Sequence, residues 1–365
     1  MMTGNVKIIA EIGVNHNGDM GLAKDTIMAA KNSGATCVKF QLFSASKLAS
    51  KQSHRSAYQV KNTGEGGSQI EMLQQLELSV NDMITLRDFC KDHCLEFLLS
   101  AFDDESLKAL KSPLEMSLIK IPSGEITNIP MLIEIGSTFN EIILSTGMST
   151  MADVELAIAA LSYGRAQKNA DTFTSSADAI AKIMAAYYDD AIRNDMLSNL
   201  TLLQCTSEYP APVEDVHLNV MKSMAHAFGC NVGFSDHTLG SHIAVAAVVM
   251  GAKVIEKHFT IDKTLPGPDH LASSSPEEFQ EMVQQIADIE RALGNGIKTV
   301  SPSEEGTVNV ARKFVTASQN IKEGDTFSTD NICVKRGNGK LPPISLYDIY
   351  GDIAKKEYET DDGVQ

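Results

Sequence analysis

The chain is 365 residues long, which leaves room for one large domain and a small one. Its composition, 43% hydrophobic and 21% charged, is that of an ordinary soluble globular protein. A net charge of −16 argues against a nucleic-acid surface and an anionic membrane, and no apolar stretch approaches the roughly 20 residues of a membrane helix. The start MMTGNVKII runs straight into an apolar segment, so no signal peptide is expected. The six cysteines contain no CxxC pair and several sit inside apolar runs, which points to reduced thiols in a cytoplasmic protein.

In chain order, eight short apolar runs predict strands: KIIAEIGV (7–14), TCVKFQLF (36–43), EFLLSAF (96–102), LIKIPSG (118–124), EIILSTGM (141–148), LTLLQCT (200–206), NVGFSDH (231–237) and KVIEKHFT (253–260). Helical patterns lie between them, at 22–34, 80–94, 130–136, 152–164, 242–252 and 276–294. Strand then helix, repeated eight times, predicts an α/β chain closed into a (β/α)8 TIM barrel over residues 1–294. An open dinucleotide-binding sheet would carry GxGxxG after an early strand, and none occurs. Two units are long. Residues 44–79 have the length of a lid over the barrel mouth, and 165–199 form an insertion with a polar first part and a helical second part. Residues 295–310 read as a polar linker. Residues 311–365 read as a small β-rich module with strands at 313–318, 327–336 and 352–358.

A barrel of this kind builds its active site at the C-terminal ends of the strands, so the tails of the runs matter most. His237 and His258 close neighbouring strands, where two imidazoles can share a divalent ion or serve as hydrogen-bonded structural histidines. Asp236 and Glu256 stand beside them as carboxylates that could orient metal-bound rings. Lys39 and Lys120 end two other strands in apolar surroundings. They would hold a phosphate or carboxylate, or else form salt bridges with Glu11 and Glu125. Ser123-Gly124, Ser145-Thr146-Gly147 and Ser235 provide hydroxyls and close backbone approach for an oxyanion. Glu11, Glu125 and Asp269 are candidate acid–base groups or acceptors for sugar hydroxyls.

Eight motifs in order, AEIGVNHNG, VKFQ, KIPSGEITN, ILSTGM, CTSEYPAP, GFSDHTLG, EKHFT and GPDH, resemble the sialic acid synthase family nearly end to end. Residues 311–365 look like that family's antifreeze-like (SAF) domain. The resemblance implies condensation of phosphoenolpyruvate with an N-acylated amino sugar, with Mn2+ or Mg2+ held by His237 and His258. Lys39, Ser100, Lys120, Ser123, Ser145, Ser207 and Ser235 would face phosphoenolpyruvate. Gln41, Glu125, Tyr209 and Asp269 would face the sugar. A domain-swapped homodimer is implied too, with Arg336 reaching the sugar site of the other subunit. This chain departs from the family at Lys335-Arg336-Gly337-Asn338-Gly339, which lacks a proline, and at Ser207, where several relatives have Asn. N-acetylmannosamine is the leading acceptor from sequence, giving N-acetylneuraminate. The diacetamido-trideoxyhexose of a legionaminate or pseudaminate synthase is the alternative, and a non-catalytic sugar-binding protein a more distant one.

Overall fold

The computed structural model describes residues 6–50, 52–64, 68–167 and 172–365. The centre of the predicted lid (65–67) and part of the polar stretch of the later insertion (168–171) lie outside these residues. The chain divides into two units, Met1–Gly294 and Asn295–Gln365.

In the first unit, eight parallel strands close into a barrel. They are β1 (Lys7–Gly13), β2 (Cys37–Leu42), β3 (Glu96–Ala101), β4 (Leu118–Ile121), β5 (Glu141–Ser145), β6 (Leu200–Cys205), β7 (Asn231–Asp236) and β8 (Val254–His258), with β8 returning to pair β1. Each lies inside a predicted run. Side chains alternate between the bore and the surrounding helices. Ile9, Cys37, Leu98, Leu118, Ile143, Leu203 and Val254 meet in the bore as one apolar cluster. The β7 member of this layer is Gly233. A Cβ there would stand 2.6 Å from Leu203 Cδ2 and 2.4 Å from the Val254 carbonyl oxygen, so no larger residue fits. Two residues further along each strand, the bore residues are Glu11, Lys39, Ser100, Lys120, Ser145, Cys205, Ser235 and Glu256, all buried. An apolar plug thus carries a polar floor directly above it.

The helices Asp104–Lys111 and Asn219–Phe228 complete the outer ring and were not among the predicted elements. The first is short and opens on acidic residues, but Asp103 caps it by accepting from the Glu105 and Ser106 amides. The second buries Met221 and Met224 and stops at Gly229 in the left-handed conformation. The helical part of the 165–199 insertion is two helices, Ser176–Tyr188 and Asp190–Ser198, packed on the helix Met151–Ala166. They break at Asp189, whose side chain caps the second.

The helices Ile129–Thr138 and Met151–Ala166 touch through paired glycines. A Cβ on Gly136 would lie 2.1 Å from the Leu161 carbonyl oxygen, and one on Gly164 would lie 2.0 Å from that of Ile133. Neither obstacle is a side chain that could rotate away. Gly136→Ala is expected to lower unfolding stability by about 1–3 kcal/mol, read as a shift in denaturant midpoint; a shift below about 0.5 kcal/mol would contradict this close contact.

The second unit has its own apolar cluster, including Val315, Ala317, Phe327, Ile332 and Tyr358. Residues expected as linker contain the helix Glu305–Ala311. β9 (Lys313–Ala317) pairs antiparallel with β10 (Ile332–Arg336). The expected strand 327–336 is shorter than predicted because a turn, in which Asn331 accepts from the Ser328 amide, precedes β10. The expected strand 352–358 is replaced by isolated bridges, Ile353 with Thr326 and Tyr358 with Ile321, because its intervening residues bond to loops. Among the described residues no helix is long and apolar enough to cross a membrane.

Candidate active site

A cavity of about 270 Å3 opens at the C-terminal ends of the barrel strands, and its floor is the polar layer. Lys39 Nζ lies 2.8 Å from Glu11 Oε2 and 3.7 Å from Glu256 Oε2, and it donates to Ser100 Oγ at 3.3 Å. Lys120 Nζ lies 3.4 Å from Glu256 Oε1, which also accepts from Ser235 Oγ at 3.0 Å. The salt bridge expected between Lys39 and Glu11 is therefore present, whereas the one expected between Lys120 and Glu125 is not. Glu125 sits in a turn beyond the strand alternation, accepts from Asn128 Nδ2 at 2.8 Å, and does not line the cavity.

The floor is balanced, with two ammonium groups against two carboxylates, but unevenly. Burial penalises the Lys39 ammonium, yet Glu11 and Glu256 outweigh it and hold its pKa above the usual lysine value. Burial lowers Lys120, with Glu256 opposing. Burial raises Glu11, an effect Lys39 opposes. Burial would raise Glu256 as well, but Lys120 and Lys39 prevail and hold it at about 2. Glu256 therefore serves two cations at once.

The imidazoles of His237 and His258 stand above this floor with ring centroids 5.5 Å apart. Nδ1–H of His237 donates to the Thr206 carbonyl oxygen at 2.7 Å, and its Nε2 lies 3.4 Å from Ser235 Oγ. Burial would lower the His237 pKa, but Cys205 and the Thr206 carbonyl prevail and hold it above the usual imidazole value. Nδ1 of His258 is buried without a hydrogen-bond partner, and the nearest carboxylate, Asp269 Oδ2, is 4.0 Å away. Burial and the neighbouring His237 hold His258 well below the usual imidazole range, in its neutral form. Two adjoining imidazoles at a cavity, with a buried unpartnered nitrogen on His258, suit a divalent cation, which would take the place of a proton on His237. Among the described residues no three His, Cys, Asp or Glu side chains close around one point, so substrate and water would supply the remaining ligands.

The carboxylates expected to orient these rings do not do so. Asp236 accepts from Lys257 Nζ at 2.7 Å and from the Thr238 amide at 2.8 Å; Lys257 also donates to the Thr238 carbonyl oxygen. Asp236 and Lys257 are one residue out of step with the inward positions 235, 237, 256 and 258, so they face the helices instead. Glu256 does face inward, but it binds the lysines and Ser235.

Beside the lysines, the amide of Gly147 donates to Ser123 Oγ at 3.0 Å. A Cβ at Gly147 would lie 2.3 Å from Ser207 Oγ and 2.8 Å from Ser123 Oγ, so glycine is required where these hydroxyls converge. Ser145 Oγ is buried and has no partner. Hydroxyls, an unpartnered donor and an incompletely paired ammonium make a cradle for an oxyanion.

The opposite wall carries Tyr209, whose ring lies 4.1 Å from that of His237 and 5.4 Å, edge-on, from that of His258. Tyr58 stacks on Tyr209 at 5.0 Å. It comes from the helix Ala57–Thr63 in the long unit after β2, and Asn62 Nδ2 ties that helix to the Pro268 carbonyl oxygen at 2.7 Å. Asp269 follows directly. Burial, aided by Glu11, raises its carboxyl to about 7. Gln41 Nε2 donates to Glu11 Oε1 at 2.9 Å.

Of the residues proposed from sequence, the cavity thus brings together Glu11, Lys39, Gln41, Lys120, Ser123, Ser145, Ser207, Tyr209, Ser235, His237, His258 and Asp269. Ser100 lies within the floor, Glu125 is turned aside, and Arg336 is an exposed residue of the second unit at the end of β10. The sequence reading missed Tyr58, Gln59, Cys205 and the apolar lining Val14, Met72, Leu73, Leu76 and Phe102. The available signals are the capping boxes Ser56-Ala57-Tyr58-Gln59 and Ser68-Gln69-Ile70-Glu71, which mark helices inside the supposed loop.

Residues 26–298 match the NeuB family. The chain is 41% identical over 355 residues to the N,N'-diacetyllegionaminic acid synthase of Campylobacter jejuni, covering 97% of each chain. It is 42% identical over 344 residues to the enzyme of the same name from Legionella pneumophila, covering 94% of this chain and 89% of that one. Among solved structures, the N-acetylneuraminic acid (sialic acid) synthetase of Leptospira borgpetersenii in complex with citrate superposes with a TM-score of 0.65 at 26% identity, covering 83% of this chain and 90% of that one.

Proposed function

The chain belongs to the NeuB family, and from that premise we propose that it is a nonulosonic acid synthase of the legionaminate type. It would condense phosphoenolpyruvate with a diacetamido-trideoxyhexose and release phosphate. The observation that carries this reading is a pair of adjoining imidazoles, His237 and His258, over one cavity with the cradle of Lys120, Ser123, Ser145, Gly147 and Ser207. The N-acetylmannosamine favoured from sequence gives way to the alternative. Two relatives at 41% and 42% identity carry the legionaminic name, against 26% for the structure named for N-acetylneuraminic acid.

Carbon C3 of phosphoenolpyruvate attacks the aldehyde carbon of the open-chain sugar and forms the new C–C bond. Water adds to the electron-poor C2, and the C2–O bond to phosphate then breaks, leaving a keto acid and inorganic phosphate. His237 and His258 would hold a divalent cation such as Mn2+ or Mg2+, which would supply Lewis-acid polarisation of a carbonyl oxygen. The serine cradle and Lys120 hold the phosphate and carboxylate in line for attack. Lys39, already paired with Glu11, fixes the floor geometry and adds positive potential. Asp269, with its carboxyl near 7, gives the proton that the aldehyde oxygen takes up, a role withdrawn from Glu125. Glu11, held by Lys39 and Gln41, is placed to orient the attacking water.

The antifreeze-like character of the second unit, the domain-swapped homodimer with Arg336 completing the partner's sugar site, and the cytoplasmic setting belong to this proposal on the strength of the sequence resemblance. The test is phosphate release from phosphoenolpyruvate with a panel of amino sugars and Mn2+ or Mg2+. Metal-dependent release is expected with the diacetamido sugar, and the absence of release with every sugar would refute the assignment.

A further inference from the structure

The cavity has a face that the condensation chemistry leaves unused. Val14, Met72, Leu73, Leu76 and Phe102 line it, and together with Phe43 and Leu48 they form one apolar cluster. None of the five lies on a barrel strand. Val14 follows β1, Phe102 follows β3, and 72–76 come from the helix Gln69–Gln74 and its exit. Val14 and Leu76 are buried, whereas Met72, Leu73 and Phe102 are only half-buried and keep apolar surface open to the cavity. That surface gains from contact with methyl groups and cannot satisfy a hydroxyl. The same cavity holds Tyr58, Tyr209 and Asp269, so the acceptor sugar lies within reach of the wall.

We propose that this wall determines which acceptor sugar is used, by reading its methyl groups. A diacetamido-trideoxyhexose carries an acetyl methyl on each of two amides and a terminal methyl. N-acetylmannosamine carries one acetyl methyl and a terminal hydroxymethyl. Against an apolar wall the first gains contacts, and the second buries a hydroxyl without a partner. A single methylene-sized difference in an apolar pocket discriminates by about 10–200-fold, so more than one such difference is ample for selection. The inference rests on the condensation reading and adds to it the residues that choose the sugar.

The test compares kcat/KM for the two sugars using the full-length, metal-loaded enzyme. The wild type prefers the diacetamido sugar. Leu73→Asn, and separately Phe102→Tyr, which keeps the ring and adds one hydroxyl, each lower that preference by about tenfold or more through loss on the diacetamido sugar. If Leu73→Asn does not fold, Phe102→Tyr decides. An unchanged ratio, or an equal fall for both sugars as a merely structural wall would give, overturns the proposal. Equal use of the two sugars by the wild type, or preference for N-acetylmannosamine, overturns it together with the legionaminate assignment and leaves the condensation of phosphoenolpyruvate with an amino sugar standing. Phosphate release with neither sugar overturns both.

Discussion

Replacing His237 by Ala is expected to lower turnover by about a thousandfold, the several kcal/mol that Lewis-acid polarisation contributes to such a reaction. The expectation follows from how few ligands the protein can offer. Two imidazoles face the cavity, and among the described residues no third His, Cys, Asp or Glu closes the set. Losing one ring therefore halves the protein's share of the coordination shell. The Thr206 carbonyl oxygen also fixes the orientation of the His237 ring through Nδ1, so that Nε2 would be the ligating atom once it is free of its proton. Mn2+ titration followed by electron paramagnetic resonance gives a readout independent of catalysis, and the variant should bind the ion far more weakly. The His237→Ala/His258→Ala double variant should be little worse than either single one, because both residues serve the same ion. Additive losses, or unchanged Mn2+ affinity in His237→Ala, would show that the rings do not share a cation.

The barrel was readable from sequence because each strand is a short apolar run bounded by polar residues, and a parallel strand covered on both faces has no other way to be written. The same reasoning located His237 and His258 at the mouth; Lys39 and Lys120, expected to end their strands, lie inside them, at the inward position two residues above the plug, and reach the cavity from there. It failed where adjacency along the chain was taken for adjacency in space. Asp236 touches His237 in sequence but faces the opposite way, and Glu125 lies past the last inward position of its strand. Counting in steps of two from Gly233 reaches Ser235 and His237 and passes over Asp236, so the strand alternation itself already turns Asp236 outward. Tyr58 and the apolar wall were harder to see. They sit in short helices with little amphipathic pattern, held by capping boxes and by contact with the barrel rather than by their own periodicity. In the second unit the expected strand 352–358 has alternating residues, yet its backbone bonds singly to separate loops, which no pattern within the segment reveals.

The second large effect is on stability. Glu256→Gln is expected to destabilise the fold by about 3–5 kcal/mol at neutral pH, the usual loss when one partner of a buried ion pair is removed. The substitution keeps size and hydrogen-bonding capacity and removes only charge. Lys39 retains Glu11, but Lys120 has no other carboxylate within ion-pair distance among the described residues, so its ammonium would remain buried and uncompensated. Lys120, already pressed down by burial, would shed its proton more readily, which limits the loss. The pH dependence carries the sign. The Glu256 carboxyl is held at about 2 in the folded chain, below its ordinary value of 4.5. The stability it contributes is therefore complete above about pH 4.5 and disappears as pH falls towards 2. Urea unfolding of wild type and variant at pH 7 and pH 3 should show a gap that narrows by roughly half or more at the lower pH. A gap that stays constant between the two pH values would mean that Glu256 acts through packing alone. The balanced charge layer above the apolar plug would then be an accident of the barrel's alternation rather than what holds the lysines in place.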